Sequence, residues 1–158
     1  MVRYILIFLL VAIGTFIIDQ NIKVWAMNSV NGIEYATIWE GSYINLELYY
    51  NKGVAFSFLS FLGENLKWVQ LALILAIVVY IFYEGYLKKY AFPMGLIIGG
   101  ALGNLYDRFI HAGVVDYIAW HKWFNFAIFN YADIMINLGV ATVLLMTYLD
   151  YRGEKRAT

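Results

Sequence analysis

Runs of about twenty residues with no charge in their middle are what this chain must first accommodate. From Tyr4 to Ile18 no residue is charged, and continuing through Asp19 and Lys23 to about Ala26 reaches the ~20 residues a helix needs to cross a hydrocarbon core. A cleaved leader is the rival reading, since Arg3 precedes the apolar run, but no A-x-A-like cleavage site follows. A second run, Trp68 to Leu87, carries a charge only at Glu84 near one end. A third is opened by Pro93, whose ring suits the first turn of a helix, and reaches Ile110. A fourth runs from Ala132 to Tyr148 before the polar tail. Spans at about 4–26, 68–87, 93–110 and 132–148 predict an all-α membrane bundle of four transmembrane helices within a single domain, 1–158. With 63% hydrophobic and 14% charged residues, the chain departs from the roughly 45–50% and 25% of soluble domains in the same direction.

The extramembrane parts are then residues 28–66 and 111–131. Between Asn28 and Ser60 short aromatic and β-branched runs are broken by Gly32, Gly41 and Gly53, and Tyr43 to Tyr50 partly alternates, which predicts a small extramembrane β-sheet. Trp25, Trp39, Tyr49, Tyr50 and Trp68 suit the headgroup level. Four spans put both termini on one side. Arg3, Lys88, Lys89, Arg152, Lys155 and Arg156 cluster at helix ends on that side, against Lys23, Lys52, Lys67, Arg108 and Lys122 on the other, so the positive-inside rule predicts cytoplasmic termini. Net charge is zero, leaving no basic field for nucleic acid. Cysteine is absent, which removes disulfides, thiolate catalysis and cysteine–metal sites.

Against this apolar background the ionisable residues between Gly99 and Asp133 need a reason, because charge at membrane depth is costly and usually functional. Gly95, Gly99, Gly103 and Asp107 recur every four residues and share one helix face, where a glycine stripe lets a second helix approach. Asn104, three residues before Asp107 and four before Arg108, can brace either. Asp19 has Lys23 four residues on and Asp107 has His111 at the same spacing beside Arg108, so both read as partnered charges. Asp116, with Ala112, Gly113, Ala119 and Trp120 at helical spacing, and Asp133, with Phe129, Asn130, Ile136 and Asn137, have no local counter-ion.

Two such carboxylates sharing a site cannot both ionise easily; one keeps its proton while the other acts as a base. That is the aspartic-protease arrangement, in which the pair activates a water and protonates the leaving group. Asp133 belongs in the first turn of the fourth helix, where the dipole favours an anion, and takes the ionised role. The alternative for each is an N-cap or loop hydrogen-bond acceptor. Other apparatus is missing: there is no H-E-x-x-H or G-x-S-x-G, Ser57 has no nearby base, and His111 and His121 suit interfacial positions. No cofactor and no metal ligand set is expected.

DQNIK (Asp19 to Lys23), NKGVAF (Asn51 to Phe56), GGALGNLYDR (Gly99 to Arg108), VVDY (Val114 to Tyr117) and FNYAD (Phe129 to Asp133), in this order, closely resemble the motifs of bacterial lipoprotein signal peptidase, also called signal peptidase II. The resemblance spans nearly the whole chain. It implies an inner-membrane aspartic endopeptidase that acts on prolipoprotein just before a diacylglyceryl-cysteine, with a β-cradle, no cofactor and no need for more than a monomer. Its catalytic pair falls on Asp116 and Asp133, its supporting residues on Asp19, Lys23, Asn51, Gly53, Asn104, Asp107, Arg108 and Asn130. Ile134 departs from the small hydroxyl residue that many members carry there. Two other classes are weighed: a proton-coupled transporter or channel using intramembrane carboxylates, disfavoured by the lack of an inverted repeat, and a structural assembly factor using the glycine stripe.

Overall fold

The structure is a computed structural model describing residues 1–53, 60–111, 113–124 and 126–157. Val54–Phe56 of the second motif, Ser57 and Ala112 lie outside the described residues. The chain forms four helices: α1 (Val2–Ser29), α2 (Leu66–Tyr83), α3 (Leu87–Ile110) and α4 (Tyr131–Ala157), with α2 ending before the expected Leu87 and α3 starting before the expected Pro93. Strands β1 (Thr37–Glu40) and β2 (Ile44–Asn51) fall between α1 and α2, and β3 (Val114–Trp120) between α3 and α4. The three form one antiparallel sheet in the order β1-β2-β3, so the two extramembrane regions meet at one end of the bundle.

By length and composition α1, α2 with the turn before it, and α4 can cross a membrane. Helix α3 has the length, 24 residues, or ~36 Å at 1.5 Å per residue, but not the hydropathy. Its position explains this. It packs against all three other helices and buries Gly95, Gly99, Gly100, Gly103, Asn104, Asp107 and Arg108, so it needs little apolar surface of its own. The helix is also split at Tyr90, whose φ of −113° is non-helical. Pro93 therefore falls in the first turn of the longer part, where its missing N–H costs nothing.

The glycine stripe is where α1 comes closest. A Cβ on Gly95 would lie 2.9 Å from the Phe8 carbonyl oxygen, one on Gly99 2.5 Å from that of Ala12, and one on Gly103 would strike the Asp19 carboxylate. Turned a little from that face, Gly100 meets the Ala132 carbonyl of α4, and Gly139 of α4 returns the approach against the Pro93 carbonyl. Helix α1 ends where Asn31 and Gly32 adopt positive φ and the Gly32 N–H bonds the Met27 carbonyl at 2.8 Å, closing the last turn as a left-handed C-terminal cap does.

The sheet is larger than the sequence pattern indicates, because β3 comes from residues 111–131. Val114 to Tyr117 are all buried, so the strand shows none of the alternation by which a half-exposed strand is recognised. Asp116 is consequently on a strand opposite Tyr49, and residues at helical spacing are not its neighbours. Introducing Gly99→Val forces a branched side chain into the α1 backbone; overpacking of this kind costs ~1–3 kcal/mol, and the midpoint of thermal unfolding in detergent should fall while an exposed Gly153→Val control does not move.

Candidate active site

Lys23 reaches the site from α1 and is almost entirely buried, at 1% exposure. Its Nζ lies 2.8 Å from Asp19 Oδ2, 2.7 Å from Asp107 Oδ2 and 2.9 Å from Asn104 Oδ1. An ammonium has three donors, and all three are used. The Asp19–Lys23 pair expected one turn apart is present. Asp107, however, pairs with Lys23 and not with His111, because the stripe below it brings α1, and with it the ammonium, against this face of α3. Asn104 likewise braces neither Asp107 nor Arg108; it accepts from Lys23 and donates through Nδ2 to Asp133 Oδ1 at 2.8 Å.

The first turn of α4 is completed by side chains, two of them from other elements. Four N–H groups at a helix start lack intrahelical partners, and here each has one. The Asn130 N–H donates to Asp133 Oδ2 at 3.1 Å and the Asp133 N–H to Asn130 Oδ1 at 3.0 Å, a reciprocal capping arrangement. The Tyr131 N–H donates to Tyr117 Oη on β3 and the Ala132 N–H to Asp19 Oδ1 on α1, both at 3.1 Å. Asp133 thus takes the hydrogen-bond-acceptor role that was its alternative reading, while its other oxygen faces Asn104.

Asp116 is presented by β3. It lies two residues beyond Val114, the partner of Asn51 on β2, so the two side chains are diagonal neighbours on one sheet face, and Asn51 Nδ2 donates to Asp116 Oδ2 at 3.0 Å. Asn130 Nδ2 donates to the other oxygen, Oδ1, at 2.7 Å, and also lies 3.0 Å from Asn104 Oδ1. Asn130 therefore joins the two carboxylates, capping the helix that carries one and donating to the other. Burial and then the negative charge of Asp133 push the Asp116 carboxyl up to about 7, against the donors Asn51 and Asn130. Neither aspartate has an ion-pair partner among the described residues.

Arg108 holds the strand end. Its Nε donates to Gln70 Oε1 of α2 at 2.8 Å, one NH2 group to the Asn51 carbonyl at 3.5 Å and the other to the Gly53 carbonyl. The Gly53 N–H in turn donates to Asn51 Oδ1 at 2.9 Å, so the amide of Asn51 is fixed with its NH2 toward Asp116. Every candidate residue named from the sequence thus lies in one connected network. Gln20 and Gln70 belong to it as well. Gln20 Nε2 donates to Asp19 and Asp107 at 3.1 and 3.0 Å; Gln70 receives Arg108. Gln70 is a lone amide within a strongly apolar run, and Gln20 stands beside Asn21 in DQNIK; Tyr117 had no signal beyond its place in VVDY. Among the described residues no buried side-chain nitrogen or oxygen lacks a partner.

Two predictions follow from this network. Lys23→Met leaves Asp19 and Asp107 buried without their cation, and breaking a buried pair in this way costs ~3–5 kcal/mol; the unfolding midpoint in detergent should drop accordingly. For Asp116, a folded value raised above 3.8 means that the folded state binds the proton more tightly, so stability is lost as pH rises from about 4 to about 7, by at most ~1.4 kcal/mol per pH unit. The difference in unfolding midpoint between wild type and Asp116→Asn should therefore change across that window and level off above it.

A family model described as signal peptidase (SPase) II matches residues 11–149. The lipoprotein signal peptidase of Sulfurovum sp. (strain NBC37-1) is 60% identical over 146 residues, covering 92% of this chain and 95% of its own. That of Sulfurimonas denitrificans is 48% identical over 147 residues, covering 93% and 91%. A bacterial membrane enzyme solved by the in meso method at 2.3 Å superposes with a TM-score of 0.76 at 27% identity, over 91% of this chain and 88% of that one. A second, at 1.9 Å, shares the fold with a TM-score of 0.70 at 23% identity, over 89% and 91%.

Proposed function

We propose, from the premise that this chain belongs to the signal peptidase II family and cleaves the signal peptides of lipoproteins, that it does so as an aspartic endopeptidase with Asp116 and Asp133 as its catalytic pair. One observation carries this reading: a buried carboxylate, Asp116, and a half-buried one, Asp133, neither with an ion-pair partner among the described residues, are joined through Asn130, while the other buried carboxylates of the network, Asp19 and Asp107, are paired with Lys23. The relatives carry a peptidase name, which leaves proton transport without support.

The roles follow from the surroundings. Asp133, in the first turn of α4 and accepting from Asn104 and the Asn130 N–H, is held as the anion. Asp116, pushed up to about 7, keeps the proton. Asp133 removes a proton from a water as its oxygen attacks the scissile carbonyl carbon, and Asp116 gives its proton to the carbonyl oxygen. The proton now on Asp133 passes to the departing amide nitrogen, the C–N bond breaks, and the diol returns a proton to Asp116, restoring the pair. Arg108, Asn51 and Gly53 fix the strand end against which the peptide lies, and positioning of this sort accounts for a large part of such rate enhancements.

The substrate is read as a prolipoprotein cut just before its diacylglyceryl-cysteine. Its apolar signal helix and acyl chains remain in lipid, and the scissile bond meets the carboxylates where α3, α4 and the sheet converge. The whole chain, 1–158, works as one peptidase unit and as a monomer in the bacterial inner membrane, with both termini cytoplasmic and the sheet and site toward the outer face, as the clustering of cations at the opposite helix ends favours. Asp116→Asn and Asp133→Asn should each reduce cleavage of a lipidated prolipoprotein by at least a thousandfold while circular dichroism and thermal unfolding show a folded protein. Near wild-type turnover in either variant removes the pair from the mechanism.

A further inference from the structure

The Phe8 ring of α1 packs edge-on against Phe82 of α2 at 6.2 Å. From Phe8 an apolar wedge of about 520 Å³ runs along α1 and α3, walled by residues such as Ile13, Phe16, Leu102 and Leu105, with Val78 of α2 at its side. Among its lining residues only Tyr106 carries a hydroxyl, and that ring packs edge-on against Phe16 at 5.7 Å. Leu102 and Phe109 lie on the face of α3 turned away from Asn104, which donates to Asp133, so α3 stands between the wedge and that carboxylate.

We propose that this wedge is a binding site for one acyl chain of an anionic phospholipid from the leaflet on the sheet side, with the phosphate held at Lys67. Length supports the chain. From Ile98 to Phe109 α3 rises ~16 Å, about half of the ~30 Å hydrocarbon core, so the wedge is as deep as one leaflet and is floored by the Phe8–Phe82 pair.

Charge at the mouth supports the headgroup. Trp68 packs edge-on against Phe109 at 5.3 Å, an aromatic pair of the kind found at the membrane interface. Lys67 Nζ lies 5.6 Å from the centre of the same Phe109 ring. Its carboxylate neighbour, Glu64, is 3.9 Å away and 86% exposed, a pair of little strength. A small polar pocket beside it is lined by Lys52, Lys67 and Arg108 against the single carboxylate of Glu64, leaving a local excess of positive charge next to the rim.

The test is native mass spectrometry of the full chain released from detergent, titrated with dioleoylphosphatidylglycerol and separately with dioleoylphosphatidylethanolamine. Wild type should retain one phosphatidylglycerol. Leu102→Trp and Ile13→Trp, which fill the wedge from α3 and α1, should each weaken that binding at least tenfold with unchanged circular dichroism. Ile13 is 54% exposed, so its variant decides the matter should Leu102→Trp fail to fold. Lys67→Gln should lower the preference for phosphatidylglycerol over phosphatidylethanolamine about fivefold, the contribution of one lysine at an anionic membrane surface. Equal lipid binding by wild type and the tryptophan variants overturns the site, and an unchanged preference in Lys67→Gln overturns the headgroup assignment. One-for-one displacement of the lipid by a lipidated prolipoprotein also overturns it, since the wedge would then belong to the substrate.

Discussion

A single ammonium group buried among two carboxylates and an amide organises this molecule. Charge in a low-dielectric interior is tolerated only when it is paired and fully hydrogen-bonded, and Lys23 meets both conditions at 1% exposure. Its three partners come from α1 itself and from α3, so satisfying it fixes those helices in register. The glycines of α3 are what make this possible, since a side chain at Gly103 would occupy the place of the Asp19 carboxylate. Asp19 then extends the same network to the Ala132 N–H of α4, and Asp107 extends it to the Val115 N–H of β3 at 3.0 Å. One cation thus positions the two elements that bear Asp116 and Asp133.

The two pairs of carboxylates are chemically distinct for the same reason. Lys23 pairs with both Asp19 and Asp107, while Arg108 gives its donors to Gln70 and to the Asn51 and Gly53 carbonyls, so neither Asp116 nor Asp133 has an ion-pair partner among the described residues. Those two receive only neutral donors: Asn51 and Asn130 for the first, Asn104 and a backbone N–H for the second. Ionic compensation is thus concentrated on the frame around Lys23, and Asp116 and Asp133 are set apart from it.

Much of this was readable from the residues, and what escaped did so for definite reasons. Asp19 and Lys23 could be paired because four residues is one helical turn. The Lys23–Asp107 contact joins positions 84 residues apart, and no local spacing carries it; His111 was the nearest candidate in sequence and the wrong one. Helix α3 could be placed although its hydropathy falls short of the other three, because Pro93 and the glycines mark its start and its packing face. Strand β3 was invisible since a strand buried on both faces has no alternation. Gln20 and Gln70 stood out in composition but carry no charge, and an amide attracts less suspicion than a carboxylate even where it does the same joining.

The amides around the carboxylates all point one way. Asn51, Asn104 and Asn130 each turn the NH2 group toward an aspartate, and their oxygens are occupied by the Gly53 N–H, by Lys23 and by the Asp133 N–H respectively. No one of them can rotate by half a turn without setting an oxygen against a carboxylate and stranding a donor elsewhere. The surroundings of the pair thus have a fixed polarity, which draws protons off, working against an apolar interior that keeps them on. For Asp116 burial and the Asp133 charge hold the proton on, and the Asn51 and Asn130 amides oppose them; turning either amide over would remove that opposition.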